Sequence, residues 1–498
     1  MNKIYKVLVI LLVFVLCTFA LGACDSTDGN GDISSFDADS LKYAQVYATT
    51  GTMSKLMTRD TSLEFADYDD TSYNTMVTVD TESAHQSFYG YGASMTHSSA
   101  YLLMQEGAED VRKEILNELF GPDGARFNFI RIPIGSSDYI EGDKFFSCCD
   151  LIDPYGEDLE LKSFTLRHDD NLIAVLKEIV EINPDINIIA VPWSAPAWMK
   201  TTRSLLSGSL DEQYEEVFAD YLVKFVSEYK KQGITITHLS LVNEPFVPVL
   251  KYPTMRMDGL QAASIVKFLG PKLETLDHDV KILSWDHNVD NIATYLDELY
   301  EDEDASKYVA GTAFHGYGGD YTDACEEWEE IYPDKEIYLT EITEHSGSND
   351  FARNLSYAAQ QVTVAPLNLG SNGAMFWNFV LRSDGTPSPV SHGNACYGVL
   401  DMDYVDGEYV YSKSSAYYAM AHVSKFAYPI NGVEAKALRV ESSNDAMIIA
   451  CALYRADGAI VVTVCNISDV LSENVDIVIG GKSITYNVQP QSIVTFVC

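Results

Sequence analysis

A (β/α)8 barrel carrying an all-β sandwich is the fold class the sequence predicts, and three observations predict it. Short apolar strand candidates alternate with longer amphipathic stretches from about residue 86 to 380, and each strand in such an alternation returns through a crossover, which builds a parallel sheet. Eight units in roughly 300 residues suit a closed barrel better than an open doubly wound sheet, and neither GxGxxG nor a P-loop follows an early strand. The final segment reads differently, as short strands divided by the turn signals Asp457-Gly458 and Gly480-Gly481.

The elements follow in order. Lys3 and Lys6 precede the apolar run Val7 to Ala20, and Leu21-Gly22-Ala23-Cys24 places small residues before a cysteine. Residues 1–23 are therefore expected to be a lipoprotein-type signal peptide, with Cys24 as the lipidated first residue of the mature chain. The run is shorter than the ~20 residues that span a bilayer. Residues 24–40, acidic and rich in Gly and Ser, read as a flexible tether. Alternating segments within 41–85 (AQVYATT, TMVTVD) are expected to join the sandwich of residues 431–498. There the strand candidates are Ala435–Glu441, Met447–Tyr454, Ala459–Asn466, Val475–Ile479 and Ser492–Val497.

The barrel is assigned to 86–430. Its strand candidates are Phe88–Met95, Phe127–Ile134, Asn187–Ser194, His238–Glu244, Lys281–Asp286, Gly311–Tyr317, Glu336–Glu341 and Gly373–Phe379. The clearest helix is Glu212–Lys231, where Val217, Tyr221, Phe225 and Val226 recur near the helical period. Asp110–Phe120, Asp170–Ile182, Gly259–Leu276 and Phe351–Leu367 follow the same pattern.

Charge excludes one class of partner. With 33 Lys and Arg against 73 Asp and Glu, the formal charge is −40, which repels phosphate backbones and argues against nucleic-acid binding. A 47% hydrophobic content supplies a large core. Cys17 leaves with the signal and Cys24 is the lipid site, so seven scattered cysteines remain, without a CxxC pair of zinc spacing.

Function in such a barrel sits at the C-terminal ends of the strands. Those ends present Arg131, Asp138, Trp193, Trp198, Asn243, Glu244, Trp285, Asp286, His315, Tyr317, Glu341, Trp377 and Asn378. Carboxylates, amides and aromatics dominate, with no His/Cys/Asp metal cluster and no Ser-His-Asp set, so neither metal nor cofactor is expected. Aromatic faces stack on sugar rings while carboxylates and amides bond hydroxyls, which suits a carbohydrate. Glu244 ends the fourth strand and Glu341 the seventh, across the barrel mouth. Glycoside hydrolysis needs such a pair, one acid to protonate the leaving oxygen and one carboxylate opposite. Whichever of the two is the acid needs a pKa raised by the charge of the other.

These motifs resemble glycoside hydrolase family 30, its glucosylceramidase-like branch most of all. VPWSAPAWMKT (191–201), LVNEP (241–245), AFHGYGG (313–319), LTEIT (339–343) and FWN (376–378) carry the likeness, with RIPIGSSDY (131–139) and YYAMAHVSKF (417–426). The resemblance implies a retaining β-glycoside hydrolase with Glu244 as acid/base and Glu341 as nucleophile. It implies Arg131 orienting the nucleophile, Asn243 on the 2-hydroxyl, and Asp138, Trp193, Trp377, His315, Tyr317 and Asn378 binding the sugar. Core packing competes as a role for Trp193 and Trp377, a structural role for His315, and turn capping for Asp138. His97 departs from the acidic residue common after the family's first strand. β-Glucosides are the expected substrates, with β-1,6-glucan and glucosylceramide both open. A β-xylosidase and a non-catalytic sugar-binding surface lipoprotein are the alternatives.

Overall fold

The computed structural model describes residues 36–247, 249–290, 292–343, 350–390 and 396–498. The expected leader, Cys24, the first part of the tether and Glu344 lie outside these. The end of the tether is not free chain: Asp37 caps the short 3-10 turn Ala38–Ser40, and Phe36 packs against the sandwich core. An isolated aromatic with no periodic neighbours gave no sign of this.

Eight parallel strands close the barrel: β1 Gly90–Ser94, β2 Phe129–Ile134, β3 Asn187–Pro192, β4 His238–Ser240, β5 Lys281–Asn288, β6 Val309–His315, β7 Glu336–Glu341 and β8 Ser371–Phe376. Phe129, Ile189, Leu283, Ala313, Tyr338 and Met375 form one apolar cluster. Because strand side chains alternate, the residues two positions further on lie nearer the mouth on the same face. They include Arg131 above Phe129, His315 above Ala313 and Trp377 above Met375. An apolar plug thus supports a polar and aromatic layer.

Two strand ends differ from expectation. The strand expected at Phe88–Met95 is divided: Thr75–Phe88 belongs to the sandwich and β1 begins at Gly90. Gly90 has φ 128°, a conformation that favours glycine, and a Cβ there would meet the Asn128 Cβ at 2.8 Å. The strand expected at His238–Glu244 ends at Ser240. Glu244 takes φ 47°, and the backbone N–H groups of Asn243 and Glu244 bond the carbonyls of Pro192 and Asp286, on the neighbouring strands to either side.

Helices Glu109–Phe120, Asp170–Ile182, Glu215–Lys231 and Gly259–Leu273 pack outside the barrel. In Glu215–Lys231 the buried face runs through Phe218, Tyr221, Leu222, Phe225, Val226 and Tyr229. Phe218 rather than Val217 opens it. The helix expected at Phe351–Leu367 is interrupted by a π-helical stretch, Ala359–Val364, just before Pro366, whose missing N–H breaks the regular ladder.

The other ends of the chain share one ten-stranded sheet. Its order is Thr58–Glu64, Tyr43–Thr50, Ser492–Val497, Ile460–Asn466, Ile448–Tyr454, Ala435–Ser442, Thr75–Phe88, Glu473–Ile479, Lys482–Val488 and Ala66–Asp67. It encloses Val46, Val77, Val462, Ile477 and Phe496. Helix Ser415–Ser424, buried at every position, joins barrel and sandwich. Its His422 bonds Thr495 at 2.8 Å and Thr49 at 2.9 Å, and burial lowers the imidazole pKa to about 3, so it stays neutral.

Candidate active site

Arg131 is the hub of the mouth. Its position on β2 points it inward, and its side chain is fully buried. Nη1 donates to Glu341 Oε2 at 2.7 Å, while Nη2 donates to Asn243 Oδ1 at 2.6 Å and Asp286 Oδ2 at 3.1 Å. A buried guanidinium requires such pairing, and planar donors of this kind fix carboxylate orientation. Its face also lies near the rings of Trp193 and Trp377, 4.9 and 5.7 Å from their centroids.

Asp286 reaches Arg131 through a bulge. Trp285 pairs with Ala313 and His287 with Phe314, so Asp286 is the extra residue, and Trp285 and Asp286 both have positive φ. A bulge re-aims a side chain; here the carboxylate also accepts from Thr340 Oγ1 at 2.5 Å and bonds His315 Nε2 at 3.1 Å. Although burial opposes its charge, Arg131 and His315 hold its carboxyl well below the usual range.

His315 connects two carboxylates, because Nδ1 lies 3.3 Å from Glu244 Oε1. Burial works against its charge, yet Glu341, Asp286 and Glu244 raise its pKa to about 9. Glu341 accepts from Tyr317 Oη at 3.1 Å as well as from Arg131. Burial, with the Glu244 and Asp138 charges, raises its carboxyl to about 7 against the pull of His315 and Arg131. Glu244 moves the other way. Burial opposes its ionisation, but the hydrogen bond and charge of His315, with His287 and Arg131 beyond, lower its pKa. The expected upward shift of Glu244 in the free site is therefore not found, because His315 lies against Glu244.

Of the remaining candidates, Trp193 and Trp377 lie 5.5 Å apart between centroids and share an apolar cluster with Tyr139, Val191 and Leu381. Asp138 is buried beside them. Asn378 is turned away: it is fully buried and accepts from Thr96 Oγ1 at 2.6 Å, so its side chain secures the segment after β8 to the N-cap of helix His97–Leu103. His97 bonds Asp169 at 2.9 Å and packs edge-on to Phe146, a structural pairing. Trp198 is likewise structural, donating to the Cys149 carbonyl.

Several residues were missed. Tyr252 and Cys396 pack against the tryptophan cluster, but both come from irregular segments without a period to place them. Lys200, 1% exposed, donates to Ser194 Oγ at 2.8 Å, Leu205 O at 3.0 Å and Thr254 O at 2.6 Å. It thereby ties together the segment after Trp193 and the loops 202–210 and 246–257. Burial lowers its pKa to about 7.

A barrel mouth with two carboxylates on facing strand ends, an arginine behind one and an aromatic wall beside them defines a glycoside hydrolase. The family model of the glycosyl hydrolase family 30 TIM-barrel domain matches residues 88–427, and that of the family 30 beta sandwich domain matches 436–496. The chain belongs to glycosyl hydrolase family 30. It is 31% identical to putative glucosylceramidase 2 of Caenorhabditis elegans over 71% of this chain and 69% of that protein. With the endo-1,6-beta-D-glucanase of Aspergillus fumigatus it shares 29% identity over 70% of this chain and 72% of that one. A solved endo-beta1,6-glucanase superposes with TM-score 0.79 and 29% identity, covering 92% of this chain and 99% of that chain.

Proposed function

We propose that this glycoside hydrolase cleaves β-glucosidic bonds with retention, Glu341 acting as nucleophile and Glu244 as acid/base. The observation that carries the assignment is the different backing of the two carboxylates. Glu341 accepts from Arg131 and Tyr317, donors that aim an attacking oxygen and oppose the cost of ionising it in a buried site. Glu244 instead lies against His315, a partner able to exchange protons.

In the first step a Glu341 oxygen bonds the anomeric carbon as the glycosidic C–O bond breaks, and the Glu244 proton passes to the departing oxygen. Water then attacks the same carbon, Glu244 takes its proton, and the ester to Glu341 breaks. The first step needs a proton on Glu244 and a charge on Glu341, the reverse of the shifts found in the free site, so substrate binding has to move the proton onto Glu244. Donation from Arg131 and Tyr317 favours an ionised Glu341 in that form.

The glucosylceramidases and endo-1,6-glucanases among the relatives support a β-glucosyl group on the glycone side. The test is mass spectrometry after exposure to a 2-fluoro-β-glucoside, with covalent mass on Glu341 expected and an unlabelled protein refuting the reading. Product profiles on β-1,6-linked glucose oligomers and on glucosylceramide then fix the leaving group. Location is the other part of the proposal. Leu21-Gly22-Ala23-Cys24 supports export and lipid anchoring at Cys24. Replacing Cys24 by Ser should release the protein from membranes, and unchanged membrane retention would refute the anchor.

A further inference from the structure

We infer that Glu244, His287 and His315 form a binding site for a transition-metal dication, and that a metal held there blocks the acid/base carboxylate. No such cluster is legible in the sequence, because its donors come from three strand ends. Glu244 follows β4, His287 lies on β5 just past the Asp286 bulge, and His315 ends β6. In the fold one ligand atom from each lies within 4.8 Å of the other two.

The spacing suits a small tetrahedral ion. Ligands at about 2.0–2.1 Å from zinc are about 3.3–3.5 Å apart. Here Glu244 Oε1 lies 3.3 Å from His315 Nδ1 and 3.8 Å from His287 Nδ1, so a modest swing of His287 completes the set. That nitrogen has a further mark of a ligand: it is buried without a hydrogen-bond partner among the described residues. A buried polar atom left unpaired is costly, and coordination would satisfy it.

The surroundings also prepare His315. Its Nε2 faces Asp286 at 3.1 Å. A metal displaces the proton on Nδ1 while the Nε2 proton stays shared with Asp286, and the freed Nδ1 lone pair then faces the cluster, the carboxylate–histidine–metal arrangement that orients metal-bound imidazoles. Charge adds to this, since Glu244, Asp286 and Glu341 set three carboxylates against the guanidinium of Arg131 once a metal has displaced the His315 proton. Two imidazoles and one carboxylate select zinc, cobalt, nickel or copper over magnesium and calcium, which want oxygen. Three protein ligands leave a fourth position for water or a sugar hydroxyl.

Metal binding is independent of the role proposed for Glu244; inhibition by the metal rests on that role. The experiment is a titration of the chelator-treated full protein with cobalt(II), read by its visible d–d absorption, with zinc binding followed in parallel by calorimetry. Expected are one cobalt per chain with a tetrahedral band, displacement by zinc, and zinc inhibition of aryl β-glucoside hydrolysis that a chelator reverses. His287→Ala should weaken both metals about tenfold or more, and its inhibition is scored against its own uninhibited rate. Glu244→Gln, nearly the same in shape, should weaken cobalt binding as well and guards against misfolding of the alanine variant. Absence of a saturable band, or equal cobalt affinity in both variants, overturns the site. A normal cobalt band with no inhibition in an active enzyme keeps the site and overturns the block. An inactive wild type with a normal band refutes the hydrolase reading alone and leaves the site standing.

Discussion

Arg131 Nη1 lies 2.7 Å from Glu341 Oε2, and both side chains are almost wholly removed from solvent. The same guanidinium also holds Asp286 and Asn243, so one cation aligns the carboxylate proposed as nucleophile and neutralises the layer beneath it. Arg131→Met would leave two buried carboxylates without their counter-charge. A loss of about 3–5 kcal/mol in stability is expected from breaking such a pair, measured by urea unfolding of the purified protein. A variant as stable as the parent would show that the charge is compensated elsewhere.

Glu341→Gln keeps the shape of the side chain but removes the carboxylate proposed as nucleophile. Turnover of an aryl β-glucoside should fall by about four orders of magnitude or more, as for other essential nucleophiles, and the 2-fluoro-glucoside should leave no mass on the variant.

Glu244→Ala separates the two half-reactions. Substrates with a good leaving group should still glycosylate the enzyme and then stall, while poor leaving groups should slow by about 10²–10⁴-fold for want of an acid. Added azide should restore turnover and yield a β-glycosyl azide. An α-glycosyl azide would contradict the double displacement.

Tyr317→Phe removes one donor from Glu341 Oε1 and leaves the ring. Loss of a hydrogen bond to a charged group should reduce kcat/KM about tenfold, measured on the same aryl glucoside.

Lys200 gives a pH dependence of stability. Its ammonium is held by three uncharged oxygens, and burial lowers its pKa from 10.5 to about 7. Between those values the unfolded chain binds the proton that the folded chain has released, so this residue's contribution to stability rises with pH across the window. Compared with Lys200→Met, the wild type should gain in urea midpoint from about pH 6 to about pH 9. An unchanged difference would show that the amine stays charged. The same variant loosens the tie between loops 202–210 and 246–257, and a higher KM on oligosaccharides than on aryl glucosides is expected.

The barrel was legible because each of its strands is a short apolar run that the next helix punctuates, and the two glutamates were legible because they terminate such runs. Arg131 came from reading the strand ends, and its place beside Glu341 from the family resemblance. Asp286 was harder, since only the bulge against β6 turns it inward, and a bulge depends on the partner strand rather than on local sequence. His287 was hidden by the same bulge. Asn378 shows the opposite error: a strand-end amide was read as a sugar ligand, but tertiary packing gives it to Thr96. Helix Ser415–Ser424 carries no amphipathic period because every face is covered.

The strand Ser492–Val497 lies between Tyr43–Thr50 and Ile460–Asn466, with Gln45 opposite Val497. Partners separated by ~450 residues meet only after all the chain between them has been made, which is the slowest kind of contact to form. While the chain emerges, the barrel can assemble from neighbouring βα units, but the first strand waits with an unpaired edge. Pairing of the strand Ser492–Val497 therefore acts as the closing step of folding. Shortening the chain there would leave two open sheet edges and an aggregation-prone protein whose catalytic residues are all present.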